Sequence, residues 1–173
     1  RIVDVLDEME YDDIADLLNE MPAQQRTAIL EAMDDDEAEV VSRLLSYEEA
    51  TAGGMMTPEV VILGAEDTVA EPLRPPTGRY LGVVFMQRLL REPPGMELSR
   101  CISQVTTARH DTPDREVFEQ FASYDMLTLP VLDEADRLLG AVSVDDVVDR
   151  MLGSGWRQRA KRRRDEHQRI ASA

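Results

Sequence analysis

The sequence predicts an α+β protein: an N-terminal superhelix of short α-helices followed by modules of βαββα order. Three observations predict it. Apolar residues recur every twelve positions over residues 1–45. The periodicity then switches at "MMTPEVVIL". Beyond residue 98, short apolar runs alternate with helical patterns.

The repeat units are "VLDEME" at 5–10, "LLNEMP" at 17–22, "ILEAMD" at 29–34 and a looser "VSRLLS" at 41–46. Val5, Leu17, Ile29 and Val41 correspond, as do Leu6, Leu18 and Leu30, and Met9, Met21 and Met33. Between the units, "EYDD", "PAQQ" and "DDDE" read as turns that place acids near helix N-termini, where the helix dipole favours them. Helices this short do not stand alone, so the pattern predicts a stack that buries its Leu and Met faces. The methionines read as core filler rather than as a binding surface.

The joint is "SYEEATAGGMMTPEVVIL", residues 46–63. Pro58 ends helix, "VVIL" reads as a buried strand, and Gly53-Gly54 reads as a flexible junction. In the second half, Asp111-Thr112-Pro113 reads as an N-cap with Pro near the first turn, opening a helix over 113–123. "TLPVLD" and "LLGAVSV" read as strands joined by the acidic turn "DEADR", and "VDDVVDRML" as the closing helix.

The chain has 173 residues and a formal charge of −16. That charge argues against nucleic acid, whose phosphates need a cationic surface, and favours cations or a basic partner. Residues 1–59 hold 17 acids against Arg1, Arg26 and Arg43. Bound divalent cations would relieve that repulsion, and a solvated acidic surface is the plainer reading. Cys101 is the single cysteine, which fits a reducing compartment. With His110 and His167 the only histidines, a zinc site is not expected. No apolar run approaches a membrane span, so a membrane role needs a partner or another part of the protein. The chain opens inside a helical pattern and without Met, as a fragment would. No phosphate loop, nucleophile elbow or His-paired nucleophile is present, so no enzyme is expected, and His110 reads as structural.

"LPVLDEADRLLGAVSVDDVVD" resembles the signature of the CBS domain, the βαββα module that pairs into a regulatory disc. "MMTPEVVILGAEDTVAEPL" looks like the start of another such module and "TGRYLGVVFMQRLLREPP" like the end of one. Between them part of a helix and a strand are missing, which suggests a break between Leu73 and Arg74. An acidic helical repeat, the joint "LLSYEEATAGGMMTPE" and two CBS modules together resemble the cytosolic portion of the MgtE magnesium transporter family. A soluble actinobacterial relative carrying the same unit is the variant that an Arg-rich chain with one lysine, Lys161, favours. The resemblance implies an N domain over 1–52, a tandem CBS pair over 53–97 and 98–152, and a basic tail over 153–173. It also implies a homodimer through the CBS modules, a cytoplasmic location at the inner face of the membrane, and a joint whose glycines let the domains change angle.

The same resemblance implies magnesium between the N domain and the CBS pair. It places Asp125, Asp146 and Asp149 on the family's acidic positions, with N-domain partners among Asp12, Asp13 and Asp16. Asp146 and Asp149 are three apart, hence on one helix face. Asp145 and Asp146 also stand where acids simply cap a helix. Pro113 and Arg115 depart from the family, which carries acids there. CBS pairs also bind adenine nucleotides, ATP or AMP, through a Ser/Thr-x-x-Asp. Ser143 and Asp146 supply one such pair, while Phe85 and Arg88 supply none. The tail "WRQRAKRRRDEHQRI", with Trp156, reads as a solvated or subunit-contacting helix, or as an interfacial membrane helix.

Overall fold

A computed structural model describes Leu6 and residues 9–68, 79–124 and 126–152. The Leu73–Arg74 joint, Asp125 and the basic tail lie outside these residues.

Three helices open the described chain: α1 Tyr11–Asn19, α2 Ala23–Leu30 and α3 Asp35–Leu44. The segments read as turns are in fact the first turns of these helices. Asp12 and Asp13 lie in the first turn of α1, and Asp35, Asp36 and Glu37 in that of α3, where the dipole stabilises them. The first turn of α2 carries no acid; Pro22 precedes it, and its carbonyl accepts from Gln25 N and Arg26 N. The described apolar positions that correspond in the repeat (Leu17, Ile29 and Val41; Leu6, Leu18 and Leu30; Met9, Met21 and Met33) are all buried or half-buried. Leu6, Ile14, Leu18, Met33 and Val41 form the centre of this array, with Met9, Met21 and Ile29 packed around it. Arg26 locks the α1–α2 corner by donating to the Leu18 carbonyl at 3.0 Å.

The sheet module follows the expected order. β1 Ala108–Arg109 leads into α6 Asp114–Tyr124, then β2 Thr128–Leu132, β3 Leu138–Ser143 and α7 Val144–Leu152; α4 Ala52–Met55 and α5 Met86–Leu89 are single turns earlier in the chain. The strand order is β1-β2-β3. β1 pairs parallel with β2 (Ala108 with Val131), the α6 crossover making that possible, and β2 pairs antiparallel with β3 (Leu129 with Val142). The β2–β3 turn is built by Asp133, whose Oδ1 accepts from Ala135 N at 2.9 Å and Arg137 N at 2.8 Å. Asp136 turns the chain at φ 58°, a left-handed conformation that Asp tolerates better than most residues. Its carboxylate is gripped by Arg79 and Arg109, which ties the segment from residue 79 to this turn.

Leu129, Val131 and Val142 are fully buried at the centre of the core, with Val117 and Phe121 from α6 and Val147 from α7. Ala15 of α1, Leu44 of α3 and Ala52, Met55 and Met56 of the joint belong to the same cluster. The helical array therefore shares a core with the sheet module.

Three expectations are corrected here. Gly53 and Gly54 are not a flexible junction. They lie in α4, and Gly53 N donates to the His110 carbonyl at 2.8 Å. A Cβ on Gly53 would stand 2.8 Å from that carbonyl oxygen and 2.9 Å from the Tyr47 ring; one on Gly54 would stand 2.5 Å from the Glu48 carbonyl oxygen. Glycine is needed there for close approach, not for hinge motion. "VVIL" is not a buried strand: Val61 is 72% exposed, and the pairing in this segment stops at Thr57 with Ala141. An apolar run becomes a strand only where a neighbour offers its ladder, and no described strand lies beside Val60–Leu63. Thr112 does not cap α6; its Oγ1 accepts from Arg109 N, and Pro113 O accepts the first helical bonds instead.

Candidate functional site

The surface where the helical array meets α7 gathers most of the acids singled out in the sequence. Tyr11 and Ala15, four apart on α1, pack against the core that contains Val144 and Val147 of α7. That contact carries Asp12, Asp13 and Asp16 into electrostatic reach of Asp146 and Arg150.

Among the described residues, Asp12 is the most perturbed group. Its Oδ1 is buried and has no hydrogen-bond partner. Burial, then the charge of Asp146, push its pKa from 3.8 to about 7, with Asp13 and Glu10 adding to the rise and a backbone hydrogen bond opposing it. The charge of Asp146, on the closing helix of the sheet module, thus acts on a partly desolvated carboxylate of the helical array.

Asp146 has a second task. Ser143 Oγ donates to Asp146 Oδ2 at 2.6 Å, Ser143 N donates to the same oxygen at 2.8 Å, and Asp146 N donates back to Ser143 Oγ at 3.2 Å. This reciprocal arrangement is a capping box at the start of α7. It uses Oδ2 and leaves Oδ1 out of the cap. Burial raises the Asp146 pKa, the bonds from Ser143 lower it, and Asp149 and Asp13 raise it again. The helix-capping role and a ligand role are therefore compatible, one for each oxygen. Asp16 is more open to solvent. Desolvation pushes its pKa up, Arg150 pulls it back, and Glu49, Asp13 and Glu20 push it up again.

Sequence reasoning missed Arg150 and Glu49. Arg150 NH1 lies 3.3 Å from Glu49 Oε1, and its NH2 donates to the Glu49 carbonyl. The signal was available, since Asp146 and Arg150 are four apart and share a helix face. Among the described residues, no group of three or more His, Cys, Asp or Glu side chains converges where an ion would be enclosed. His110 is placed structurally: its ring packs against Tyr47 in a tilted pair, 5.5 Å between centroids, and its carbonyl accepts from Gly53 N. Cys101 is buried and free. Phe85 and Arg88, at the corresponding place in the first module, carry no capping box; Arg88 pairs with Glu92 and donates to the Arg100 carbonyl.

These features define a class: a CBS-domain protein with an acidic helical domain seated on its closing helix. Comparison with known proteins makes this specific. The MgtE intracellular N domain matches residues 1–50, and the CBS domain matches residues 97–153. The magnesium transporter MgtE of Thermus thermophilus is 36% identical over 163 residues, covering 80% of this chain and 36% of that transporter. A crystal structure of the cytosolic domain of the Mg2+ channel MgtE in complex with ATP superimposes with a TM-score of 0.76 at 33% identity, covering 84% of this chain and 67% of that one. The soluble part of a magnesium transporter superimposes with a TM-score of 0.78 at 28% identity, covering 86% of this chain and 66% of that one. The chain belongs to the MgtE family. It spans about a third of the length of the curated relatives it matches. Among the described residues, no helix is long and apolar enough to cross a membrane.

Proposed function

We propose that this chain is the magnesium-responsive regulatory module of an MgtE-type magnesium transport system, without catalytic activity of its own. The observation that carries the reading is Asp12, a buried and unpartnered carboxylate oxygen opposite Asp146. Docking the helical array on α7 desolvates Asp12 and Asp146 and sets like charges near them: burial raises both pKa values first, and the charge of Asp146 on Asp12 and of Asp13 on Asp146 adds to the rise. The residues fit magnesium: they are hard oxygen donors on two facing surfaces, and magnesium takes one or two carboxylates while keeping several waters. Asp12, Asp13 and Asp16 on α1, with Asp146 and Asp149 on α7, would hold it; Asp125 joins them by family resemblance alone. Bound there, the ion supplies positive charge that offsets the repulsion. The chain's own contribution is a two-state contact, held closed by Tyr11, Ala15 and Leu44 against the sheet core and pushed open by its acids.

In this reading the module works in the cytoplasm beside a membrane transporter part, as a homodimer through its CBS modules. Val148, Met151 and Leu152 lie exposed at i, i+3 and i+4 on α7, a face suited to a second copy. A thermal melt in magnesium, calcium and potassium chloride at matched ionic strength tests the proposal. A ligand at a hundred times its dissociation constant adds about 2.7 kcal/mol, several degrees for a chain of this size. The expected result is a rise in millimolar magnesium beyond the salt control, lost when Asp146→Ala is combined with Asp149→Ala. Equal melting in all three salts would overturn it.

A nucleotide reading stands beside this one, favoured by the Ser143–Asp146 pair and by the relative solved with ATP. It predicts stabilisation by ATP or AMP that disappears in Ser143→Ala.

A further inference from the structure

The hydrogen bonds that frame the second module occur again in the first. Ala52 N donates to the Thr112 carbonyl at 2.8 Å, and Leu98 N donates to that of Asp67 at 3.0 Å. Arg109 N donates to Thr112 Oγ1 at 3.0 Å, and Gly64 N donates to Asp67 Oδ2 at 2.7 Å. Thr57 exchanges two backbone bonds with Ala141, and Ser103 exchanges two with Val83. Leu63–Gly64 therefore stands where β1 stands, and Leu81–Val84 stands where Leu139–Val142 of β3 stands. The strand between them is what differs. In the second module β2 lies between β1 and β3, with Leu129 opposite Val142 and Val131 opposite Gly140. Ala141 turns its N–H and C=O to Thr57, so Gly140 and Val142 turn theirs to β2. The corresponding Gly82 and Val84 have no hydrogen-bond partner for N–H or C=O among the described residues. Gly140, Ala141 and Val142 are buried, whereas Gly82, Val83 and Val84 are half-buried and Leu81 and Phe85 are exposed.

The chain has no strand of its own to place there. In the second module the 23 residues 114–136 supply α6 and β2; the ten residues 69–78 take their place in the first, too few for an 11-residue helix, a 5-residue strand and the turns around them. Residues 153–173 hold no apolar run. A second copy has no strand to spare, because its β2 is buried in its own core through Leu129 and Val131. We infer that the first module is a strand acceptor: its Leu63–Gly64 and Gly82–Val84 edges receive an extended apolar segment of a partner polypeptide, running antiparallel to Gly82–Val84 as β2 runs to β3. This inference is independent of the magnesium reading. Open backbone groups at Gly82 and Val84 supply the ladder, and apolar side chains of the incoming strand cover the half-buried residues beside it. The chemistry of the occupant is that of β2, a 5-residue strand with four residues buried.

The probe is a synthetic peptide of residues 126–133, which contains β2, titrated into the 173-residue chain and followed by calorimetry and by amide hydrogen exchange in NMR. The expected result is saturable one-to-one binding with slowed exchange at the Gly82 and Val84 amides. N-methylation of the peptide at the positions of Leu129 and Val131 removes the amides aimed at the acceptor and should weaken binding roughly tenfold or more. These changes are made in the peptide, so the fold of the chain is untouched by them. Absence of binding would overturn the inference, as would equal binding of the methylated peptide. Binding that speeds exchange in β2 and leaves Gly82 and Val84 unprotected would mean that the peptide displaces its own counterpart, and would also overturn it. Protection of Gly82 and Val84 that grows with protein concentration in the absence of peptide would assign the edge to a second copy and overturn the partner.

Discussion

Replacing Asp12 by Asn removes a charge and keeps nearly the same shape, so it relieves both the burial of that charge and its opposition to Asp146. The carboxyl is raised from 3.8 to about 7, chiefly by burial and then by Asp146. Each pH unit of that difference is worth about 1.4 kcal/mol, so the whole span is worth on the order of 4 kcal/mol, and partial solvent exposure brings it nearer to 2 kcal/mol. A carboxyl whose pKa is raised in the docked state holds its proton more tightly there than in the undocked or unfolded chain. Below about pH 4 it is protonated in every state and docking bears no charge penalty. As pH rises from about 4 to about 7 the unfolded chain releases the proton first, and stability falls; above about 7 the full penalty stands. Asp12→Asn should therefore raise the metal-free melting temperature at pH 8 by roughly 4–8 °C, with the gain shrinking towards zero near pH 4. The assay is circular dichroism melting in chelator across that pH range. A variant that melts at the wild-type temperature at pH 8, or that shifts equally at pH 8 and pH 4.5, would refute the reasoning.

Other expectations follow from single contacts. Gly53→Ala drives a methyl group towards the His110 carbonyl and the Tyr47 ring, at 2.8 and 2.9 Å, and should destabilise the chain by about 1–3 kcal/mol in urea titration. A hinge role would instead predict a neutral or stabilising change. Ser143→Ala removes the capping box of α7 and should lower stability by about 1 kcal/mol. Because the Ser143 bonds hold down the Asp146 pKa, the same variant should move the carboxyl resonance of that residue to titrate at higher pH in NMR.

Much of this architecture was legible in the sequence, for reasons that differ by element. The twelve-residue repeat marked the buried positions of the helical array because a short helix must bury its apolar face against neighbours. The β2–turn–β3–α7 segment was legible because alternation, an acidic turn and a capping pair occur in local order there. "VVIL" misled because strand formation depends on a partner that local sequence does not name. Gly53-Gly54 misled because the same residue serves freedom and close approach; the Tyr47 ring and the His110 carbonyl that decide the matter lie 6 and 57 positions away along the chain. The acids were legible as a set, but their confrontation was not. Asp12 and Asp146 are 134 positions apart, and the packing of Tyr11, Ala15 and Leu44 on the sheet core brings their charges within reach. Arg150 was overlooked because attention to carboxylates passed over the base beside them.

The central claim is that magnesium controls how closely the helical array sits on α7. The most direct test places one fluorophore on α2 at Thr27→Cys and the other on the β2–β3 turn at Glu134→Cys, both exposed positions, while buried Cys101 stays unlabelled. Energy transfer is then followed as magnesium is titrated against potassium chloride of equal ionic strength. The account predicts a shorter mean distance and a narrower distribution in magnesium, with the change reduced in Asp12→Asn. A distance that is the same in both salts would contradict it.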